Sequence, residues 1–373
     1  MNIVFIIDQV YLHGGIERVL SIKANYLAQQ EGNKVHIITT EQKEEIPCYA
    51  FDKNIIFRDL GINYNRRKSY FHPKNLKKLP KHISRTKAVL KTINPDIVVV
   101  CSHSVDTYFV PFIVKDIPKV KEFHYSRFIE KDKRKKPSLF KKYFFKFADY
   151  VESKYDKLVI LNKDESDYYK TDNTVVIPNP LTFYPDKVSE LSNNTIITAG
   201  RIAAVKGHDI LIDIWEEFTK IRKDWQLLIF GNGEPSYVKM LQDKINSAGI
   251  QDTIKLMGST NEIKEEMIQS SVFVMTSHNE CFPLVLLEAQ ACGLPIVSFD
   301  CPYGPRNIID KNTGVLITPY DNDSFVDQLD NLLNDTDRIQ NMGKKARENS
   351  KKYQLDVVMK LWQEMFNDLI HKK

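Results

Sequence analysis

Short apolar runs of four or five residues recur along the whole chain, separated by stretches long enough for a helix, and this alternation limits the fold more than any other feature. Strands apolar on both faces must be covered on both faces, the condition of a parallel sheet with helices packed on either side. The first half offers Ile3–Ile7, Val35–Thr39, Ile97–Cys101, Val120–Phe123, Leu158–Leu161 and Val175–Ile177 as strands. Pro178-Asn179-Pro180 and the run to Asn194 then show turn chemistry without a period. The alternation restarts with Thr195–Ala199, Leu227–Phe230, Ile254–Met257, Val272–Thr276, Ile296–Phe299 and Val315–Ile317, between helical stretches such as Asp209–Lys220 and Ser236–Ala248. After Asp321 the chain reads only as helix, and a last amphipathic run places Val358, Leu361, Trp362, Met365 and Leu369 near one face. The expected fold class is α/β, with doubly wound, Rossmann-like domains at 1–180 and 195–354, a linker at 181–194 and a final helix at 355–373.

A chain of 373 residues, 42% hydrophobic and 27% charged, has core enough for two domains without staples. Its five cysteines are scattered and form no C-x-x-C, so neither a disulfide frame nor a zinc site is expected, and a reducing cytoplasm fits. No run approaches the ~18 apolar residues of a membrane span, and the first apolar run stops at Asp8, too early for a secretory leader. The net charge of +5 is unevenly placed. Residues 66 to 87 hold nine Lys or Arg and no acid, and residues 131 to 146 hold eight with only Asp132, together +16, which leaves −11 for the rest. Such a distribution points to an anionic partner on one face.

Ligands of doubly wound sheets bind at the carboxyl ends of the strands, so the chemistry belongs in the loops that follow them. After the first strand, Gly14-Gly15 precedes a helix whose first N–H groups are free to meet a phosphate or a sugar hydroxyl. The same pair also fits a tight turn that needs positive φ. It is neither the G-x-G-x-x-G fingerprint of a dinucleotide fold nor a Walker loop, which counts against an oxidoreductase or a nucleoside triphosphatase. After Ala199 comes Gly200-Arg201, with Lys206-Gly207 a few residues on, so a planar fork and a point charge can meet one diphosphate. Gly231-Asn232-Gly233 repeats the glycine theme less specifically. The densest segment is Thr276 to Ala289: Glu280 ends a loop, Phe282-Pro283-Leu284 opens a helix, and Glu288 lies within it. Orphan N–H groups of that first turn point at a ligand that Glu280 faces, while Glu288 can accept from a diol; simple capping is the alternative for each carboxylate.

This combination, Glu280-x7-Glu288 with Gly200-Arg201, Lys206-Gly207 and Gly14-Gly15-Ile16-Glu17 before it, resembles the family 4 glycosyltransferases. The likeness covers essentially the whole chain and is strongest to bacterial enzymes that assemble capsule, lipopolysaccharide or lipid-linked oligosaccharide, with Ser298 to Pro305 adding to it. It implies the GT-B fold, two Rossmann-like domains facing across a cleft, and a retaining transfer of a hexose or N-acetylhexosamine from a nucleotide sugar, UDP preferred, to a glycan or lipid-linked acceptor. The nucleotide sugar is a substrate, and no cofactor or metal is expected. By the same resemblance Arg201 and Lys206 neutralise the departing diphosphate, Glu288 binds the ribose, and Glu280 meets the transferred sugar with the backbone of Phe282, Pro283 and Leu284. Gly14 and Gly15 belong to the nucleotide-sugar site, Gly15 by the diphosphate, and His124, after a strand end, reaches the donor sugar, although His103 follows a strand too. Cys281 stands where the family usually has a smaller residue. A nucleotide-sugar-binding subunit without activity of its own is the competing reading, disfavoured by the presence of all four of Arg201, Lys206, Glu280 and Glu288.

From Leu139 to Phe147 the residues Leu139, Phe140, Tyr143, Phe144 and Phe147 share one helical face, with Lys141, Lys142 and Lys146 opposite. Either this stripe is a core face, or, with the two basic segments Arg66–Lys87 and Lys131–Phe147, it meets an anionic membrane surface from the cytoplasmic side. No nucleic-acid motif accompanies the charge, so nucleic acid is not an expected partner.

Overall fold

The computed structural model describes residues 1–371, so the last two residues of the expected final helix lie outside the described residues. It contains two parallel sheets. The first has seven strands, β1 (Asn2–Ile7), β2 (Lys34–Thr39), β3 (Ile56–Asp59), β4 (Ile97–Val100), β5 (Lys119–Glu122), β6 (Lys157–Ile160) and β7 (Thr174–Val176), in the order β3-β2-β1-β4-β5-β6-β7. The second has six, β8 (Thr195–Ala199), β9 (Gln226–Phe230), β10 (Ile254–Gly258), β11 (Val272–Met275), β12 (Ile296–Phe299) and β13 (Gly314–Ile317), in the order β10-β9-β8-β11-β12-β13. In both sheets the order reverses beside the first strand, so each has a switch point at its carboxyl edge, between β1 and β4 and between β8 and β11.

The central strands are buried at every position, as in β4 and β11, because helices cover both faces. The pattern of short continuous apolar runs was legible for that reason. The exception is β3, which the apolar alternation does not announce: all four of its residues are exposed, and it pairs only along one edge with β2.

The chain clusters into two compact units, Met1–Pro180 with the segment from Val358, and Leu181–Val357. Residues 181–194, read above as a linker, are packed onto the second unit. Leu181 N–H donates to Tyr353 O at 2.7 Å, Ser189 N–H to Cys292 O at 2.9 Å, and the Arg347 guanidinium lies 4.0 Å over the Tyr184 ring. Turn chemistry marks an irregular backbone, and an irregular backbone can still be bound down by hydrogen bonds. The last helix, Leu355–His371, buries Val358, Met359, Trp362, Met365 and Phe366. Leu361, placed above on the buried face, is exposed, because the buried arc is centred between Trp362 and Phe366. Among the described residues no helix is long and apolar enough to cross a membrane.

Candidate active site

Because β8 and β11 are neighbours, the loops that leave their carboxyl ends meet. Gly207 stands in the left-handed region, φ +64°, and a Cβ there would lie 2.2 Å from Thr276 O, so only glycine fits. Thr276 Oγ1 donates to Gly207 O at 2.8 Å, and His278 N–H donates to Val205 O at 2.9 Å. These bonds bring Lys206 Nζ to 2.5 Å from Glu280 Oε1, both side chains largely buried. Arg201, on the same loop, is exposed and takes part in no ion pair among the described residues. Lys206 and Glu280 are thus one unit, and Arg201 is the cation left open.

Glu280 is fixed from its other side by the loop after β12. Tyr303 N–H donates to Glu280 O at 3.0 Å, and a Cβ on Gly304 would lie 2.8 Å from both Glu280 Cβ and Pro283 Cδ. The Ser298–Pro305 segment of the sequence therefore carries a packing requirement at Gly304. Pro283 is the N-cap of the helix Leu284–Ala291, with no side-chain cap, so this helix begins one residue later than a first-turn proline would have it. Phe282 meets Tyr353 edge to face at 5.6 Å, and Cys281 is buried beside it in sequence. Glu288, one turn into the helix, is buried, and its Oε1 accepts from Thr182 Oγ1 at 2.5 Å.

Gly231 and Gly233 serve the scaffold. A Cβ on Gly231 would fall 1.8 Å from Gly200 O and one on Gly233 2.0 Å from Ile202 O, because the loops after β8 and β9 lie backbone against backbone. His208, at the start of the helix His208–Ile221, was not singled out by its sequence context. Burial, reinforced by Lys206, pushes its imidazole down to about 4, so it is neutral beside that lysine.

In the first unit the corresponding loops carry the opposite charge. Gly14 caps the helix Gly15–Ala28 with extended backbone, and neither glycine has positive φ, so the tight-turn alternative does not apply. A Cβ on Gly15 would meet nothing within 4 Å, whereas one on Gly14 would lie 2.2 Å from Glu17 Oε2, so the Glu17 carboxylate folds back over the helix start. Around it stand three carboxylates that the sequence did not bring together. Asp8 accepts from Tyr70 Oη at 2.9 Å, Glu17 from Gln9 Nε2 at 2.6 Å, and Glu41 pairs with Arg66 Nε. Burial raises the pKa of each, and Asp106 raises Asp8 further.

His124 has a partner inside its own unit: Nε2 lies 3.3 Å from Glu122 Oε1, and Glu122 also pairs with Lys23. Burial acts to raise the Glu122 carboxyl, but Lys23 and His124 outweigh it and hold the group well below the usual range. The Lys23 ammonium in turn sits 4.2 Å over the Trp362 ring. His103 packs on Phe123 and Tyr125, and its imidazole is pushed well below its ordinary value, first by desolvation and then by Lys121. Among the described residues no group of three or more His, Cys, Asp or Glu is placed to hold a metal ion.

Two doubly wound parallel sheets, the second with a cation-bearing loop at its switch point, define the GT-B class. The second half matches the model "Glycosyl transferases group 1" over residues 184–349, and the first half matches "Glycosyltransferase Family 4" over residues 13–182. An uncharacterized glycosyltransferase of Haemophilus influenzae is 30% identical over 96% of this chain and 98% of its own length. The amylovoran biosynthesis glycosyltransferase AmsD of Erwinia amylovora is 30% identical over 57% of this chain and 62% of its own. The Anabaena protein HepE, solved in complex with UDP, shares the fold at a TM-score of 0.76 and 18% identity, covering 99% of this chain and 100% of that one. The chain belongs to glycosyltransferase family 4 and is a glycosyltransferase.

Proposed function

We propose that this enzyme is a retaining transferase that moves a hexose or N-acetylhexosamine from a nucleotide sugar, UDP-linked by preference, to a glycan or lipid-linked acceptor in bacterial surface-polysaccharide assembly. The observation that carries the donor half of this reading is the 2.5 Å Lys206–Glu280 pair, with Arg201 unpaired on the same loop. In the transfer the anomeric C–O bond to the diphosphate breaks and its electron pair leaves with the diphosphate. The acceptor oxygen bonds to the anomeric carbon, and its proton passes to the departing phosphate oxygen on the same face. Negative charge therefore grows on the diphosphate, where fixed cations lower the barrier. Arg201 meets that charge directly, and Lys206 does so while it keeps Glu280 in place. Glu280 takes hydroxyls of the transferred sugar, and Glu288, oriented by Thr182, takes those of the ribose. The backbone at Phe282, Pro283 and Leu284 lies between the two carboxylates.

The three carboxylates near Gly14 and Gly15 favour hydroxyls over phosphate at that helix start, so we assign those glycines to a sugar rather than to the diphosphate. His124, tied to Glu122, is assigned to the donor sugar by family resemblance alone. The UDP bound to HepE and the amylovoran role of AmsD support the nucleotide and the pathway class. The full chain, screened against UDP- and GDP-sugars, is expected to bind and slowly hydrolyse a UDP-hexose or UDP-N-acetylhexosamine. Hydrolysis of GDP-sugars only would reverse the nucleotide preference, and binding without any turnover would favour the inactive-subunit reading.

A specific observation supports membrane association. Four of the five stripe residues on the helix Leu139–Glu152 are exposed, Leu139 at 71%, Phe140 at 81%, Tyr143 and Phe147, while Phe144 is half-buried and the helix buries Ala148, Val151 and Glu152. Phe71, from the other basic segment, meets Phe144 at 5.3 Å, so the two basic stretches converge on one aromatic ridge. We read this ridge as a contact with anionic lipid at the inner face of the cytoplasmic membrane. Sedimentation with anionic vesicles that fades as salt rises is the expected result; no binding at low salt would remove the assignment.

A further inference from the structure

Two fully buried charges of the first unit stand beside His124, and the donor reading gives them no task. His124 follows β5 at the carboxyl edge of the sheet, and its Nε2 lies 3.3 Å from Glu122 Oε1. Glu122 is paired in turn with Lys23 of the helix Gly15–Ala28, the two side chains being 2% and 1% exposed. The last helix completes the stack: Trp362 is buried, and the Lys23 ammonium lies 4.2 Å over its ring and 5.9 Å over that of Phe5. Lys121 ties down the backbone at the same place, since its ammonium donates to Glu122 O at 2.6 Å and to Ser102 O at 2.8 Å. Two helices and a strand therefore converge on one carboxylate, and that carboxylate faces one imidazole.

Burying an ion pair is expensive, and apolar residues of similar volume serve packing at least as well. What the pair supplies and apolar residues cannot is a fixed acceptor. Burial acts to raise the Glu122 carboxyl, but Lys23 and His124 hold it well below its usual range, so the group is ionised and can only accept. The ring nitrogen that faces it must then carry a hydrogen, which makes Nε2–H the donor and leaves Nδ1 as the acceptor of the neutral imidazole. Among the described residues Nδ1 has no hydrogen-bond partner. His103, the other histidine after a strand, packs on the Phe123 and Tyr125 rings and takes part in no ion pair among the described residues, so no carboxylate orders its tautomer.

We propose that Glu122 is a positioning residue: held by Lys23 under Trp362, it fixes the His124 ring with Nε2–H turned inward, so that Nδ1 is the nitrogen offered to a hydroxyl of the ligand. A hydroxyl is the group that fits, because an ionised phosphate has no hydrogen to donate to a bare nitrogen. No covalent bond forms or breaks at His124, and its two nitrogens keep fixed roles, one donating inward and one accepting outward. Glu122 acts through the histidine that we assign to the donor sugar, so its effect on turnover rests on that reading. Its effect on the tautomer does not.

The full chain, labelled with nitrogen-15 in its histidines, is tested by long-range proton–nitrogen NMR, with His124→Gln identifying the resonances of His124. The Nε2–H tautomer is expected in the wild type. In Glu122→Gln the Lys23 ammonium claims the amide oxygen and the amide NH2 turns to the ring, so the tautomer should invert to Nδ1–H. Lys23→Met with Glu122→Leu, an apolar pair of similar volume, should fold and leave the two tautomers mixed. Glu122→Gln should also lower turnover of the UDP-sugar hydrolysed fastest in the screen above by ~10–100-fold, with KM changed less than about twofold. A wild-type ring protonated at Nδ1, or a tautomer that neither variant alters, would overturn the role of Glu122. So would an inverted tautomer with undiminished turnover in a protein that His124→Gln inactivates. Undiminished turnover in His124→Gln would instead sink the assignment of His124 to the donor sugar, while the tautomers still decide the role of Glu122.

Discussion

The two sheets share one strand order around their switch points yet surround them with opposite chemistry. In the second unit the loops after β8 and β11 carry Arg201 and Lys206 with Glu280, and the sheet rests on an almost wholly apolar core that includes Ile196, Trp215, Phe218, Val274 and Phe299. In the first, Asp8, Glu17 and Glu41 surround a single Arg66, and the interior behind them holds charges: Lys23 with Glu122, Arg127 with Glu152, and His82 2.9 Å from Asp106. Lys121 is buried without a carboxylate partner among the described residues for its ammonium, which donates to Val100 O at 3.3 Å, Ser102 O at 2.8 Å and Glu122 O at 2.6 Å; burial pushes it down to about 8. Topology fixes where a ligand goes, and charge decides which one. A basic loop suits a leaving group that gains negative charge.

The largest effect should come where the first unit's charges are sealed from water. Trp362 is buried and covers Lys23. Trp362→Ala should cost ~3–5 kcal/mol in denaturant unfolding, since it removes a large core side chain and opens the Lys23–Glu122 pair. A loss under ~1 kcal/mol would mean that the last helix is an accessory to this unit rather than part of its core.

Next comes the loop of Arg201 and Lys206, to which the proposed function gives the leaving group. Arg201→Ala or Lys206→Ala should lower turnover of the donor at least ~100-fold, because each charge acts more strongly in the transition state than in the ground state. Both variants within threefold of wild type would erase the electrostatic contrast between the units.

How much of this could be read in advance divides along the same line. The second unit's loops were legible because their chemistry is local: Gly200-Arg201, Lys206-Gly207 and Glu280-x7-Glu288 lie within short stretches, and the structure places Lys206 against Glu280. Even there Thr182 gave no signal, since it sits in a segment with only turn chemistry. The first unit's polar groups were hidden because each contact joins distant positions, such as Glu41 to Arg66 and Arg127 to Glu152, and a basic residue within a charge run reads as solvated until its partner is seen. The strands had the same asymmetry: buried runs were plain, and the exposed edge strand β3 was not. The aromatic stripe at Leu139–Phe147 shows the limit of periodicity, which identifies a face but not what covers it.

The carboxylates of the second unit give a smaller and sharper contrast. Glu288→Gln should weaken binding of the free nucleoside diphosphate ~10-fold, whereas Glu280→Gln should leave that affinity nearly intact and cut sugar transfer. Thr182→Val should follow Glu288→Gln in direction with a smaller loss, because it frees the carboxylate to turn. Equal loss of nucleotide affinity in the Glu280 and Glu288 variants, measured by titration calorimetry, would reject the division between ribose and sugar.

The smallest effect separates the units by pH. His208 has its folded pKa pushed down to about 4 from an ordinary value of 6.5, by burial first and Lys206 second. Above pH 6.5 the imidazole is neutral folded or unfolded, and it costs nothing. As the pH falls from 6.5 toward 4 the unfolded chain takes up a proton that the folded unit refuses, so stability drops, by ~1 kcal/mol between pH 6 and pH 5. Asp8, Glu17 and Glu41 in the first unit run the other way: their folded pKa values are raised, so their contribution is complete in acid and lost as the pH rises past their ordinary values. His208→Gln should therefore flatten the decline of denaturant stability on mild acidification without altering the first unit's response. An unchanged slope in that variant would place the acid sensitivity elsewhere and remove the pH contrast between the two sheets.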